Sequence, residues 1–279
     1  MSKLSFPFRA YTDKQLHAEY DRLIAYLSKP FTVDPIPYSR IGYPCSNYFF
    51  QHARMNMDGR GKRGNAIEFY NKNKKRIDTQ STKLSRDIFS CINFTNHQPS
   101  QFSPMVAGRL YLHFQAGSVL DIYAGWGDRC LAAMALDIDY VGIDSNPELV
   151  DAYDKMIDKY PHQGDVRFIS GKCEDVDIES LMGSSEYIIF TSPPFFEKVG
   201  AKTKLVERYP NCETDYKTFM TNSLIPMFER CSGAKVIAIY MSEFMYRDVC
   251  GSVGECNDVI VFNNNNGGAK PGSVYCWYR

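Results

Sequence analysis

The sequence lacks any apolar run approaching the roughly 18 residues that a membrane-spanning helix needs. Its opening residues, Met1 to Pro7, lack the apolar core of a secretory signal. A soluble, intracellular protein is therefore expected, in a cytoplasm or a virus-infected cell. No Cys-x-x-Cys pair occurs among the nine cysteines, and the five histidines (17, 52, 97, 113 and 162) show no metal-ligand spacing. Reduced, largely buried thiols and no metal site are expected. Net charge is lacking too, since 32 Lys+Arg balance 32 Asp+Glu. Taken as an average, that zero argues against nucleic acid or an anionic membrane as partner.

The zero is the sum of two unlike halves. Residues 1–105 carry 16 basic and 8 acidic side chains, whereas residues 106–279 carry 16 and 24. With 44% hydrophobic and 23% charged residues the composition is globular, which excludes collagen, coiled coil and disorder. No internal repeat is present. Two regions are expected: a basic one over 1–100 and a second domain over 101–279.

In the first region Thr12 and Gln15 have capping-box spacing, and Leu16, Tyr20, Leu23, Ile24 and Leu27 recur at helical intervals, predicting a helix over 12–28. Pro30, Pro35, Pro37 and Pro44 predict irregular chain after it. Residues 54–86 hold ten basic side chains, among them Arg60, Lys62, Arg63, Lys72, Lys74, Lys75 and Arg76, against three acids. Tyr48, Phe49, Phe50, Phe69 and Tyr70 lie beside or among them. A solvated basic face accounts for the charge run; a phosphate-tracking surface with stacking aromatics accounts for it equally well.

From residue 103 short apolar runs alternate with helical stretches. Strands are predicted at 118–122, 140–143, 166–169, 187–191, 235–240, 258–262 and 273–278. Helices are predicted near 104–115, 128–137, 147–160, 213–230 and 243–250. That alternation predicts an α/β fold with a seven-stranded, mainly parallel sheet, and the last two strands form an antiparallel edge hairpin.

Open parallel sheets bind ligands at the carboxyl ends of their strands. Three predicted strand ends carry suitable residues. Asp121, Tyr123, Gly125 and Gly127 follow the first strand, and the glycines permit a tight turn beside a helix N-terminus. Asp144 and Ser145 follow the second, where Asp144 can accept hydrogen bonds from two ribose hydroxyls. Glu174 and Asp175 follow the third, within reach of an adenine amino group. The Gly-x-Gly-x-x-Gly dinucleotide fingerprint is missing, because Cys130 stands where its last glycine belongs. A ligand with adenine and ribose but no phosphate fits better, and S-adenosylmethionine is one. Its positive charges suit acids at 121, 128 and 144.

The fourth predicted strand ends in Thr191-Ser192-Pro193-Pro194-Phe195-Phe196. Ser-Pro-Pro is commonly only a turn. At a strand end beside a cofactor loop it becomes a rigid, acceptor-rich cradle, since two prolines fix φ and remove two donors. Acceptors around an exocyclic amine favour the pyramidal form whose lone pair can attack a methyl group. Phe195 and Phe196 offer faces on which a base, flipped or already unpaired, can stack.

These segments, AGWGDR, YVGIDSNPEL and FTSPPFF, resemble the SAM-dependent amino-methyltransferases with an Asp/Asn/Ser-Pro-Pro-Tyr/Phe motif. They are also similar to DNA methylases encoded by phages and large DNA viruses. The resemblance covers residues 94–279 and implies a Rossmann-like methyltransferase sheet. It implies Phe102, Ser103 and Pro104 as contacts to the methionine part, Asp121, Gly125 and Gly127 as the glycine loop, Asp144 as the ribose acid and Asp175 as the adenine contact. Ser192, Pro193, Pro194 and Phe195 match the catalytic tetrapeptide. Its Ser-Pro-Pro form points to cytosine N4 ahead of adenine N6.

DNA is the implied partner, with RNA as the alternative and a catalytically inactive, nucleic-acid-binding methyltransferase fold as another. Few residues remain after the tetrapeptide for a separate recognition domain. Target contacts are therefore expected from residues 1–100 and from 197–212, with Lys198, Lys202, Lys204 and Arg208. The oligomeric state is left open.

Overall fold

The computed structural model describes residues 6–33, 35–57, 65–80, 99–183, 186–199, 202–206, 211–263 and 271–279, with only the backbone described over 75–80. The N-terminal region contributes helices α1 (Asp13–Leu27), α2 (Tyr43–Met55) and α3 (Ala66–Gln80). The capping box of α1 forms as its sequence requires, with the Gln15 backbone N–H donating to Thr12 Oγ1. Helix α2 corrects the expectation of irregular chain through Pro44. That proline sits in the first turn, where its missing N–H interrupts no helical bond, and Gly42 turns the chain into the helix with φ +88°.

The remaining chain alternates strand and helix: α4 (Pro104–His113), β1 (Ser118–Asp121), α5 (Asp128–Met134), β2 (Asp139–Asp144), α6 (Val150–Lys159), β3 (Val166–Ser170), α7 (Ile178–Met182) and β4 (Tyr187–Thr191). A hairpin, β5 (Phe196–Val199) and β6 (Lys202–Leu205), follows; it was not anticipated as strand. Then come α8 (Tyr216–Phe219), α9 (Met227–Arg230), β7 (Ala234–Tyr240), α10 (Glu243–Val253), β8 (Asp258–Phe262) and β9 (Gly272–Tyr278). The single helix expected over 213–230 is broken. A π turn occupies Met220–Leu224, with the Ile225 N–H reaching back to Met220 O, and Pro226 then lacks the donor to continue.

Seven strands form one sheet in the order β3-β2-β1-β4-β7-β9-β8, parallel except at β9. This is the seven-stranded, mainly parallel arrangement with an antiparallel edge that the alternation predicted, and the Rossmann-like sheet that the resemblance implied. Strand residues alternate between two cores. Val119, Tyr140, Ile188, Ala238 and Val274 face one; Leu120, Val141, Ile189, Ile237 and Tyr275 face the other. Both faces are covered by helices, which is why these strands read as continuous apolar runs rather than alternating ones.

The N-terminal helices share the first core. Leu16, Tyr20, Leu23 and Leu27 from α1 and Phe50 from α2 belong to the same buried cluster as Met105, Val106 and Tyr153. Tyr20 stacks on Tyr160 with centroids 4.6 Å apart and donates to Pro161 O at 3.0 Å. Ile36 pairs with the edge strand β8, accepting from Asn263 N–H and donating to Val261 O. Residues 6–57 thus wrap the sheet. A smaller cluster of Phe6, Met55, Ala66 and Tyr70 holds α3 against them.

Among the described residues all eight cysteines are free thiols, five of them buried, and no group of His, Cys, Asp or Glu could hold a metal ion. No described helix is long and apolar enough to cross a membrane.

Candidate active site

The chain runs β1 to β3 towards one side of the sheet and then returns to place β4 on the other side of β1. At that switch the carboxyl ends of β1, β2, β3, β4 and β7 surround a cavity of about 360 Å³. Such a crevice is where doubly wound sheets take ligands, and its size falls in the ~300–1,000 Å³ range of small-molecule pockets.

Of the sequence-predicted cofactor residues, Phe102, Tyr123, Gly125, Asp144, Ser145, Glu174 and Asp175 line it, as do all four members of the Ser192–Phe195 tetrapeptide. Four residues stand behind the wall instead. Asp121 is fully buried and accepts from Arg129 Nε at 2.6 Å, Tyr140 Oη at 2.7 Å and Thr191 Oγ1 at 2.8 Å. Its carboxylate is thereby spent on protein partners and holds the loop rather than a ligand. Gly127 has φ +72°, and a Cβ there would lie 2.5 Å from the Phe50 ring. Its bareness admits an α2 side chain, where the sequence suggested a ligand. Ser103 caps α4 and donates to Ser39 O at 2.7 Å, and Pro104 begins that helix.

Asp144 receives two backbone donors, Gly125 N–H at 2.9 Å and Asn146 N–H at 3.0 Å, which lock the end of β2 against the glycine loop. Burial pushes its carboxyl above the ordinary range, opposed by those two donors. Asp128, the third acid expected near a cation, instead faces α2: Ser46 Oγ donates to it at 2.5 Å and Gln101 Nε2 at 3.3 Å. Burial raises it to about 7.

The tetrapeptide is divided by the fold. Phe195 lines the cavity, its ring edge-on to Tyr240 at 5.1 Å. Phe196 points the other way as the first residue of β5, 2% exposed and packed on Tyr216 and Phe219, so it offers no face to a base. Thr191, just before Ser192, accepts from the Tyr123 backbone N–H at 3.1 Å while donating to Asp121. One buried network therefore joins the end of β1 to the tetrapeptide.

Other lining residues escaped the sequence reading. Thr218, Phe219, Asn222 and Ser223 come from α8 and the π turn. Tyr123 Oη lies 2.7 Å from Ser223 Oγ, and burial holds that phenol well above its ordinary range. Asn211, in the left-handed region at φ +58°, donates to Ser145 O at 3.1 Å and brings Cys212 and Glu213 to the rim. A signal for 218–223 existed: Thr218, Asn222 and Ser223 share a helical face with core residue Phe219, where packing alone would favour apolar side chains. Gln101, Arg129, Lys172 and Tyr240 also line it. Trp126, 6% exposed, both packs in the core and lines the cavity.

Of the basic residues, Lys72 is exposed on α3, and Lys74 lies over the Tyr70 ring at 5.3 Å. Lys202 and Lys204 are exposed on β6. Arg60, Lys62, Arg63, His97 and Arg208 lie outside the described residues, as do the side chains of Lys75 and Arg76. Among the flanking aromatics Phe50 and Tyr70 are buried, whereas Tyr48 is exposed.

No family model matches the chain, and no curated protein matches it. Among solved structures it is similar to a SAM-dependent methyltransferase from Agrobacterium tumefaciens, at 16% identity and TM-score 0.43 over 66% of this chain and 64% of that one. The chain thus spans a little under two thirds of that structure's length. It is similar to the N-terminal domain of human METTL16 in complex with SAH, at 12% identity and TM-score 0.44 over 64% and 71% of the two chains. An RNA methyltransferase from Salinibacter ruber in complex with S-adenosyl-L-homocysteine matches at 14% identity and TM-score 0.38 over 64% and 93%. At these identities and scores the likenesses assign no role to any residue of this chain.

Proposed function

We propose that the chain is a methyltransferase that uses S-adenosylmethionine to methylate an exocyclic amino group of a base in DNA, cytosine N4 ahead of adenine N6. The observation that carries this reading is the meeting of Asp144, Glu174, Asp175 and the Ser192–Phe195 tetrapeptide in one cavity. The lining also suits a cationic donor. Four carboxylates (Asp144, Glu174, Asp175 and Glu213) face it against Arg129 and Lys172. Above Gly125 a Cβ would meet nothing closer than 3.9 Å, so bare backbone faces open space there.

When bound, the cofactor would supply a methyl group on a sulfonium; as a nitrogen lone pair forms the N–C bond the S–C bond breaks, the neutral thioether leaves, and the methylated nitrogen gives one proton to water. The chain's residues would do the rest. Ser192 Oγ and the carbonyls around Pro193 accept the two amine hydrogens, which withdraws the lone pair from ring conjugation and aims it. Pro193 and Pro194 fix φ, so these acceptors are placed before the base arrives. Phe195, supported by Tyr240, gives the base a face. Asp144 accepts from the donor's ribose hydroxyls while remaining bonded to the glycine loop.

Lys72, Lys74, Lys202 and Lys204, with the other basic residues of 54–86, would hold the phosphate backbone. Labelled methyl donor, offered with single-stranded DNA, duplex DNA and RNA, tests the reading, and nucleoside mass spectrometry identifies the product. N4-methylcytosine from DNA is expected. Methyl incorporated only into RNA moves the substrate to RNA. No incorporation into either nucleic acid defeats the reading.

A further inference from the structure

The side chain of Arg129 has a use that its ion pair with Asp121 does not exhaust. Nε donates to Asp121 Oδ2 at 2.6 Å, and Nη2 reaches Asp121 Oδ1 at 3.3 Å and the Tyr123 carbonyl. Nη1 makes no hydrogen bond among the described residues, and it is not one of their sealed, partnerless buried atoms. The residue is 5% exposed and lines the cavity. A guanidinium held on two sides by protein acceptors and open on the third is a fixed donor for an anion.

The surroundings show which part of a ligand meets it. The guanidinium carbon lies 5.8 Å from the Phe102 ring centroid. Phe102 packs edge-on against Phe190 of β4 and Tyr240 of β7, on the far side of β1 from β3. Glu174 and Asp175 also line the cavity, just after β3, two strands along the sheet from β1. The position a Cβ on Gly125 would take lies 3.9 Å from Arg129 Nη2 with nothing closer, leaving room beside the guanidinium. Along the sheet the lining thus runs from Lys172, Glu174 and Asp175 after β3 to Arg129 beside Phe102.

We propose that Arg129 is the carboxylate anchor of the methyl donor, its Nη1 binding the amino-acid carboxylate while Asp121 and Tyr123 hold the guanidinium in place. This rests on the reading of the cavity as a site for S-adenosylmethionine. It reassigns the loop: Asp121, expected as a ligand contact, becomes the positioning residue, and Arg129 becomes the binding one. It also makes the site selective for a donor that retains its carboxylate. An adenosine thioether ending in a plain aminopropyl chain would leave a buried cation facing an apolar methylene.

Calorimetry on the full chain tests this with two ligands, S-adenosylhomocysteine and its decarboxylated counterpart. Wild-type protein should bind the carboxylate form roughly 10- to 100-fold more tightly. Equal affinities overturn the proposal and leave the cofactor reading standing; binding of neither ligand overturns both. Removing Arg129 alone would strand a buried Asp121, so the matched variant is Asp121→Asn/Arg129→Met, which removes both charges. Its two affinities should converge, the loss falling on the carboxylate form. Full discrimination in the folded double variant assigns the carboxylate to another group and overturns the proposal. If the double variant does not fold, Arg129→Lys, which keeps a cation beside Asp121 but lacks Nη1, takes its place, and undiminished discrimination in that variant overturns the proposal.

Discussion

Thr191 Oγ1 donates to Asp121 Oδ1 at 2.8 Å, tying the residue before the Ser-Pro-Pro cradle to the last residue of β1. The same hydroxyl accepts from the Tyr123 N–H, so one buried oxygen registers the glycine loop against the tetrapeptide. Replacing it with an isosteric methyl should expose the dependence. Thr191→Val leaves the Tyr123 backbone donor unsatisfied and Asp121 Oδ1 with only its longer bond from Arg129, a loss of about 1–3 kcal/mol in urea unfolding. Turnover should fall more than cofactor affinity. A neutral effect on both would show that the network does not register the site.

Ser192→Ala and Pro193→Ala should lower turnover severely, on the order of 100-fold or more, while largely sparing cofactor affinity. Single-turnover methylation alongside calorimetry separates the two effects. Equal loss of rate and binding would place these residues in the cofactor site instead.

Asp144→Asn retains one acceptor oxygen but loses the charge that the Gly125 and Asn146 N–H groups stabilise. Its NH2 then faces one of those two N–H groups, so stability should fall by about 1–3 kcal/mol while cofactor affinity falls roughly 10- to 100-fold. Unchanged affinity would remove Asp144 from the ribose contact.

Asp128 makes stability depend on pH in an unusual direction. Its buried carboxyl is raised to about 7 from an ordinary value of 3.8, so the folded protein holds a proton that the unfolded chain has already released. Its contribution is complete below about pH 4 and is lost as pH rises through 7. Asp128→Asn keeps an acceptor for Ser46 without titrating. Between pH 5 and 8 the variant should gain stability relative to wild type, by a few kcal/mol at most. A constant difference across that range would show that Asp128 is ionised throughout.

Neutralising Lys72, Lys74, Lys75 and Arg76 together on α3 should weaken nucleic-acid binding and flatten its salt dependence, leaving cofactor binding intact. Filter binding at several salt concentrations reads the slope. An unaltered slope returns α3 to a solvated basic face.

The sheet was legible because its central strands are buried on both faces. Runs such as Tyr187–Thr191 have no polar register to confuse, and the observed strand ends fall within one residue of the expected ones. Helix α2 was hidden because Pro44 punctuates loops and begins helices equally well, and the choice depended on Gly42 turning the chain. The hairpin β5–β6 was hidden because Lys198, Lys202 and Lys204 give it the look of a solvated loop. The zero net charge also lost its force: the basic α3 is held beside a sheet domain whose cavity wall is acidic.

By itself the sequence determined the seven strands of the main sheet, their ends and the residue types at them, since these depend on local period and turn chemistry. Tertiary structure alone decided which acids meet the cavity. Asp121, Asp128 and Asp144 look alike along the chain, each beside a strand end or glycine turn. Only the packed molecule gives the first to Arg129, the second to Ser46 and Gln101, and leaves the third at the cavity wall. The reason is physical: a buried carboxylate takes whatever donors the fold brings to it, and those donors come from residues 8 to 82 positions away.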